Sequence, residues 1–467
     1  YYAQPHIGGD IPLFYGIAKS LVARGAIDAE YIASRTEGWE ALRREIDERS
    51  WESIERGSGV SRSEIERLAG HYANAKAALF CWTMGMTHHA FGVDNVRMIA
   101  NLALMRGMVG KPSAGLLPLR GHSNVQGVGS MGATPALKKR VFDALESRLG
   151  VKLPTSAGMD TLACIERAGE GGVDFAMHLG GNLFGSCPDA DKARAALGRI
   201  GMTVFLSTTL NTGHAHGRGQ ESIILPVRAR DEESQPTTQE SMFSFVRLSD
   251  GGPPRHEGPR GEVQVVASIA KRVLGSAPVD FEALERHADL RRLIGEIIPG
   301  YEPMKEIDET RREFHVGGRF LHGERFETPS GRARFHAPPI PPPVRGDESN
   351  SLALMTIRSE GQFNTVVYEQ EDVYRGQERR DVILMNSDDI SRLGLRDNDP
   401  VTVTSEAGSL DGVLVRTFQI RAGNAAMYYP EANAIVPQRV DPESRTPAFK
   451  SVAIRVTKSR RLSVVGG

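Results

Sequence analysis

Between Phe175 and Leu206 two short apolar runs flank a turn and a helix-length stretch, and this order leaves few folds open. Phe175 to Leu179 reads as a buried strand, Gly180-Gly181-Asn182 as its turn, Ala190 to Leu197 as a helix, and Thr203 to Leu206 as the next strand. Two strands joined through a helix run parallel, because a hairpin cannot return the chain in the same direction. Parallel α/β sheets bind ligands in the loops at the carboxyl ends of their strands. Here those loops are Gly180 to Asn182 and Ser207-Thr208-Thr209, both short, polar and made of small residues.

The same texture is predicted upstream. Ile11 to Leu79 is helical in pattern: Leu13 to Arg24 carries Ile17, Leu21 and Val22 on one face, and Ser61 with Glu64 makes a capping box for a later helix. Ala77 to Trp82 reads as a buried strand, followed by a Gly-containing turn and a strong helix from Val93 to Met105. From Asp231 to Arg345 the texture is irregular and ends in Pro338, Pro339, Pro341, Pro342 and Pro343, an expected extended linker. Beyond it, Ala353 to Ile357, Val382 to Met385, Val401 to Thr404, Leu414 to Ile420 and Val452 to Val456 are β-rich, with one helix near Asp388 to Leu393. The expected fold is multidomain α/β, with two Rossmann-like units and a small C-terminal β-barrel.

Composition narrows the function. A chain of 467 residues has room for about three units with separate cores. Its 57 Lys and Arg against 58 Asp and Glu remove the basic excess of a nucleic-acid binder. No apolar run reaches the roughly 18 residues of a bilayer span, so no membrane segment is expected. Cys81, Cys164 and Cys187 are odd in number and far apart, which fits a reducing, cytoplasmic setting and a packing or incidental role. Three thiols also cannot supply a four-cysteine iron–sulfur site. Tyr1 to Asp10 reads as a loop leading into a helix, so a longer protein with an N-terminal segment ahead of Tyr1 is expected.

Among the motifs, Leu119-Arg120-Gly121-His122-Ser123-Asn124-Val125-Gln126-Gly127 is rich in hydrogen-bonding groups. On composition alone it is either a solvated interdomain loop or an anion-recognition loop, in which Arg120 offers a planar fork and the glycines allow close backbone approach. His88 and His89 end the first strand, but no third ligand stands at a recognisable spacing, so no metal site is expected and the pair reads as structural or hydrogen-bonding. Met84 and Met86 read as core. The residues by themselves thus lead to an α/β protein that binds a large polar anionic ligand between domains.

Several segments in one fixed order resemble the molybdopterin-guanine-dinucleotide oxidoreductases, in particular formate dehydrogenase alpha subunits and their formate-dehydrogenase-like branch. They are Thr83 to His88, Gly107 to Gly115, Pro118 to Gly127, Gly180 to Asn182, Ile223 to Pro226 and Phe326 to Gly331, then Thr356-Ile357-Arg358, Asn433 and Arg445 to Lys450. The resemblance implies that 1–122 closes one α/β molybdopterin-binding domain, 123–230 belongs to a second, guanosine-side α/β domain, 231–345 connects, and 346–467 is a cofactor-capping barrel of the double-psi type. It implies bis-molybdopterin guanine dinucleotide with molybdenum or tungsten, held by Met84, Gly85, His88, Arg120, Gly121, His122, Gly180, Gly181, Asn182, Ser207, Thr208, Thr356, Arg358, Gln362, Asn433, Phe449 and Lys450. Arg120 and His122 are the implied catalytic residues, Arg120 holding the carboxylate of formate or a similar small oxyanion. His122 and His88 stand where formate dehydrogenases have glutamine, and Thr208 where many relatives have an acidic residue. A 4Fe-4S cluster and the protein ligand of the metal are implied upstream of this chain, with electrons passing to a further partner. A reading of a different class is a non-catalytic module that binds the same dinucleotide for cofactor storage or assembly.

Overall fold

The computed structural model describes residues 1–317, 326–346, 348–360, 362 and 369–459; parts of the expected connecting region and barrel, including everything from 460 onward, lie outside the described residues. The N-terminal unit is built on α1 (Asp10–Ala23), α2 (Arg62–Asn74) and α3 (Gly92–Met105). Ser61 caps α2 as its sequence requires: its Oγ accepts from the Glu64 amide at 3.4 Å, and its own amide donates to Glu64 Oε2 at 3.3 Å. Ile11, Tyr15 and Leu21 of α1 pack with Met98, Leu102 and Met105 of α3 in one core. Beside them lie two parallel strands, β1 (Leu79–Trp82) and β2 (Gly115–Pro118).

The βαβ unit is present, with β3 (Phe175–Leu179), α4 (Ala190–Leu197) and β4 (Met202–Ser207), and β5 (Glu221–Pro226) extends the parallel sheet in the order β3-β4-β5. One expectation fails here. β3 is an outer strand, not a buried one, and Phe175, Met177 and Leu179 are 54%, 42% and 58% exposed. Leu79 and Cys81 of β1 are exposed for the same reason: no other described strand pairs beyond these edges.

The stretch from Asp231 to Arg345 is more ordered than its Gly and Pro content suggests. It holds β6 (Thr237–Glu240), β7 (Phe245–Ser249) and β8 (Phe314–His315) as an antiparallel sheet, with α5 (Glu262–Val273) and α6 (His287–Ile297). α5 lays Val265 and Val266 on Val204 and Leu206 of β4. Tertiary burial of an amphipathic face thus outweighs the loop-like flanks. The proline cluster is irregular, yet it is docked: Pro338 is buried and its carbonyl accepts from Tyr15 Oη at 2.7 Å.

The C-terminal barrel is closed. Its strands are β9 (Ser351–Ile357), β10 (Val382–Met385), β11 (Pro400–Thr404), β12 (Ser409–Thr417), β13 (Asn424–Tyr428) and β14 (Val452–Lys458), in the order β9-β13-β10-β12-β11-β14. β12 begins and ends earlier than its apolar run, because pairing with β11 carries it back through Ser409. Leu352, Leu354, Ile383, Val401, Val403, Val415, Met427 and Ile454 fill the interior, one side of each strand facing inward.

Candidate functional site

Trp82 sits beside Pro118 in the β1–β2 pair, and the Leu119 amide donates to the Trp82 carbonyl at 2.8 Å. Two loops therefore leave the carboxyl ends of neighbouring parallel strands together. The first makes one helical turn, Met84–Thr87, and ends in His88 and His89. His89 is 3% exposed; its Nε2–H donates to the Gly85 carbonyl at 3.0 Å, and its buried Nδ1 has no partner among the described residues. Met84 is 36% exposed and so is not a core methionine. The second loop carries Arg120 and Gly121, both exposed, and His122, half-buried.

The barrel closes against the first loop. The Lys450 amide donates to the His88 carbonyl at 2.9 Å, and the His88 ring lies 5.6 Å from the Phe449 ring. Lys450 Nζ reaches back to the Thr356 carbonyl, and Thr356 itself is buried. Arg358 stacks over Tyr429, 4.5 Å from the ring centroid, and Tyr429 meets Phe449 edge-on at 5.9 Å. These cations act on one another. Burial, then the charges of Arg358 and Arg375, pushes Lys450 down to about 8. Burial, then Lys450, Arg358 and His89, pushes His88 down to about 4. Low-dielectric surroundings and like charge each disfavour the protonated form.

The second loop pair stands at the ends of β3 and β4. Gly180 and Gly181 have φ of +64° and +74°, and a Cβ on either would meet open space, so the backbone there is bare on its outer side. Asn182 is buried: its Oδ1 accepts from the Gly185 amide at 2.8 Å, and its Nδ2 donates to Thr212 Oγ1 at 2.8 Å. Ser207 Oγ accepts from His214 Nε2 at 3.0 Å, since His214 Nδ1 already accepts from the Asn211 amide at 2.9 Å. Asn211 Nδ2 donates to the Gly181 carbonyl at 3.1 Å, locking the two loops together, while Thr208 remains exposed.

The barrel bridges both loop pairs. Asn433 Nδ2 donates to the Gly185 carbonyl at 2.9 Å, and its Oδ1 is buried without a partner among the described residues. Gln362 Nε2 donates to the Tyr429 carbonyl at 2.6 Å. Of the residues singled out from sequence, His88, Thr356, Arg358, Phe449 and Lys450 thus form one cluster. Gly180, Gly181, Asn182, Ser207 and Thr208 form a second, and Asn433 ties it to the barrel. Arg120 shares the strand ends with His88, but its guanidinium pairs with no described residue. Sequence reasoning missed Tyr429, whose phenol burial pushes up to about 12 against the pull of Arg358 and Ser186. It also missed Arg380, which is buried and donates to Ser359 Oγ at 2.7 Å, the Tyr429 carbonyl at 2.6 Å and Glu431 Oε1 at 2.7 Å. A Tyr-Tyr-Pro turn after an apolar run gives little local signal of such a role.

Residues 4–232 match the family model described as molybdopterin oxidoreductase, and residues 352–453 match the molydopterin dinucleotide binding domain. An uncharacterized oxidoreductase of Mycobacterium tuberculosis is 32% identical over 97% of this chain and 61% of its own length. Formate dehydrogenase H of Escherichia coli is 26% identical over 96% of this chain and 65% of its own length. The chain therefore spans about 61% to 65% of the length of these relatives. Among solved structures, acetylene hydratase from Pelobacter acetylenicus superposes with a TM-score of 0.70 over 97% of this chain and 71% of that one, at 16% identity, a likeness of fold.

Proposed function

This chain belongs to the molybdopterin oxidoreductase family, and from that membership we propose that it helps hold a bis-molybdopterin guanine dinucleotide, with molybdenum or tungsten, for the two-electron oxidation of formate or a similar small oxyanion. The observation that carries the reading is the meeting of Lys450, Arg358 and His88 under the barrel, where burial and mutual repulsion depress Lys450 and His88. Such a cluster is stabilised by an anion, and the dinucleotide is one. The residues fit it at the other end too. The bare backbone of Gly180 and Gly181 and the exposed Thr208 suit a pyrophosphate or ribose, which bulky side chains would keep away. In this reading 1–122 and 123–230 are the two α/β domains, 231–345 joins them to the rest, and 346–467 is a double-psi capping barrel.

When bound, the cofactor supplies the redox chemistry, and the protein binds, orients and shields. Arg120 presents its fork beside the His88 loop and holds the substrate oxyanion, fixing its orientation and balancing its charge. His122, two residues on, offers a ring nitrogen for a cofactor hydrogen bond, as does His88, which is neutral at physiological pH. A 4Fe-4S cluster outside this chain takes the electrons, and the setting is cytoplasmic. Among the described residues no helix is long and apolar enough to cross a membrane.

Elemental analysis for molybdenum, tungsten and iron, with release of guanosine monophosphate from the same purified sample of the complete protein, tests the reading. Metal with nucleotide supports it, and absence of both overturns it. Arg120→Ala should lower formate turnover about 10²- to 10³-fold, the scale of losing one charge-stabilising group, with metal and nucleotide retained. Unchanged turnover would remove Arg120 from the site.

A further inference from the structure

The loop that bears Arg120 and His122 is anchored at both ends. On one side the Leu119 amide is fixed to the Trp82 carbonyl at 2.8 Å. On the other, Asn124 adopts a left-handed backbone with φ +64°, and its Oδ1 accepts from the Glu240 amide at 3.0 Å. Gly127 leaves room for this join, because a Cβ there would lie 2.0 Å from Asn124 Oδ1 and would push the amide aside. The Glu240 carboxylate completes the anchor. Its Oε2 accepts from Ser130 Oγ at 2.6 Å and from the Tyr301 hydroxyl, and Glu240 and Tyr301 are each 2% exposed. Tyr301 in turn belongs to the core with Val246, Met304 and Val316. Between the two anchors only residues 120–123 are left, too short a span to wander far from a line between fixed ends.

We infer that Glu240 is a positioning residue for the proposed anion-binding loop: through Ser130 and Asn124 it ties the segment bearing Arg120 and His122 to the Tyr301 core. The inference rests on the reading of Arg120 given above only for its effect on substrate. A carboxylate acceptor makes each hydroxyl bond stronger than a neutral acceptor would, so a rigid clamp is obtained from two hydroxyls. Rigidity matters because an oxyanion is oriented only if its arginine is already in place when it arrives.

Amide hydrogen exchange of the complete protein, resolved by peptide mass spectrometry, tests the clamp without reference to activity. Ser130→Ala should speed exchange across 120–131 by about tenfold or more, the equivalent of one charge-assisted hydrogen bond. Asn124→Gly, which keeps the left-handed backbone, should do the same. Tyr301→Phe removes the other hydroxyl from the Glu240 carboxylate and should speed exchange across the same segment as well, while also lowering global stability. Steady-state kinetics of the Ser130→Ala holoenzyme should then show a raised KM for formate at unchanged metal and nucleotide content. Faster exchange with unaltered KM supports the clamp and removes Arg120 from substrate binding. Unaltered exchange in both Ser130→Ala and Asn124→Gly overturns the inference.

Discussion

At the residue scale the decisive feature is a histidine pair held neutral. Burial, then the Lys450 charge, brings His89 down to about 4 although its bond to the Gly85 carbonyl pulls the other way, and His88 falls to about 4 as well. Both start from an ordinary value of 6.5. Between those limits the unfolded chain binds more protons than the folded one, so unfolding free energy rises with pH. The stabilisation is complete above about 6.5 and is lost as pH falls toward 4. The enclosed His89 should contribute a slope approaching about 1.4 kcal/mol per pH unit, and the half-exposed His88 less. Urea unfolding between pH 4 and 7.5 checks this, with His89→Gln expected to flatten the profile. A profile equally steep in the variant would mean that His89 is not the group titrating. Lys450 has the opposite interest: pushed down to about 8, it gains when an anion arrives. Lys450→Met relieves a buried, repelled charge but also removes the donor to the Thr356 carbonyl, so the free chain should change little in stability while nucleotide retained through purification falls.

At the element scale, strands and helices were legible where they carry their own period. α4 and β10 stand on the residues expected, and the capping box of α2 announced its helix. β13 was not legible, since Asn-Ala-Ala-Met-Tyr lacks β-branched residues, and yet all five residues are buried between β9 and β10. Ala425 and Ala426 are buried at its centre, where small side chains let the neighbouring strands close, and only the packing reveals it. The same limit applies to the site. The strand-end loops at Gly180 and Arg120 were visible as breaks in a pattern, whereas Tyr429 and Arg380 act through contacts across the barrel that no local pattern encodes. The exposed edge of β3 was misread because an apolar run does not say on which side it is covered. The requirement for smallness in β13 can be measured. Ala425 is fully buried in the barrel core, so Ala425→Leu should cost about 1–3 kcal/mol by overpacking. Ala453→Leu, on the exposed face of β14, should stay within about 0.5 kcal/mol. Equal losses in the two variants would argue against this inside-outside assignment.

At the scale of the whole molecule the barrel is attached to both α/β units, and the two attachments differ in kind. On the N-terminal side Arg97 forks onto Glu443, Nη1 to Oε1 at 2.5 Å and Nη2 to Oε2 at 2.9 Å, with the Val93 amide donating to Asp441 Oδ2 at 3.1 Å. Glu443 is more than half exposed, so the fork is screened by solvent and salt. On the other side Asn433 is buried; its Nδ2 donates to the Gly185 carbonyl, and its own carbonyl accepts from the Asp189 amide at 2.9 Å. Removing a buried donor leaves its acceptor dry and unpaired, at about 1–3 kcal/mol, whereas an exposed ion pair is worth up to about 1 kcal/mol. The neutral link should therefore dominate. In calorimetry Asn433→Ala is expected to lower the melting temperature more than Arg97→Ala, and to do so equally in low and high salt. The smaller effect of Arg97→Ala should fade as salt is added. If the order is reversed, the barrel is held to the α/β units chiefly by surface charge, and Asn433, whose Oδ1 has no partner among the described residues, is a contact kept for a ligand rather than for assembly.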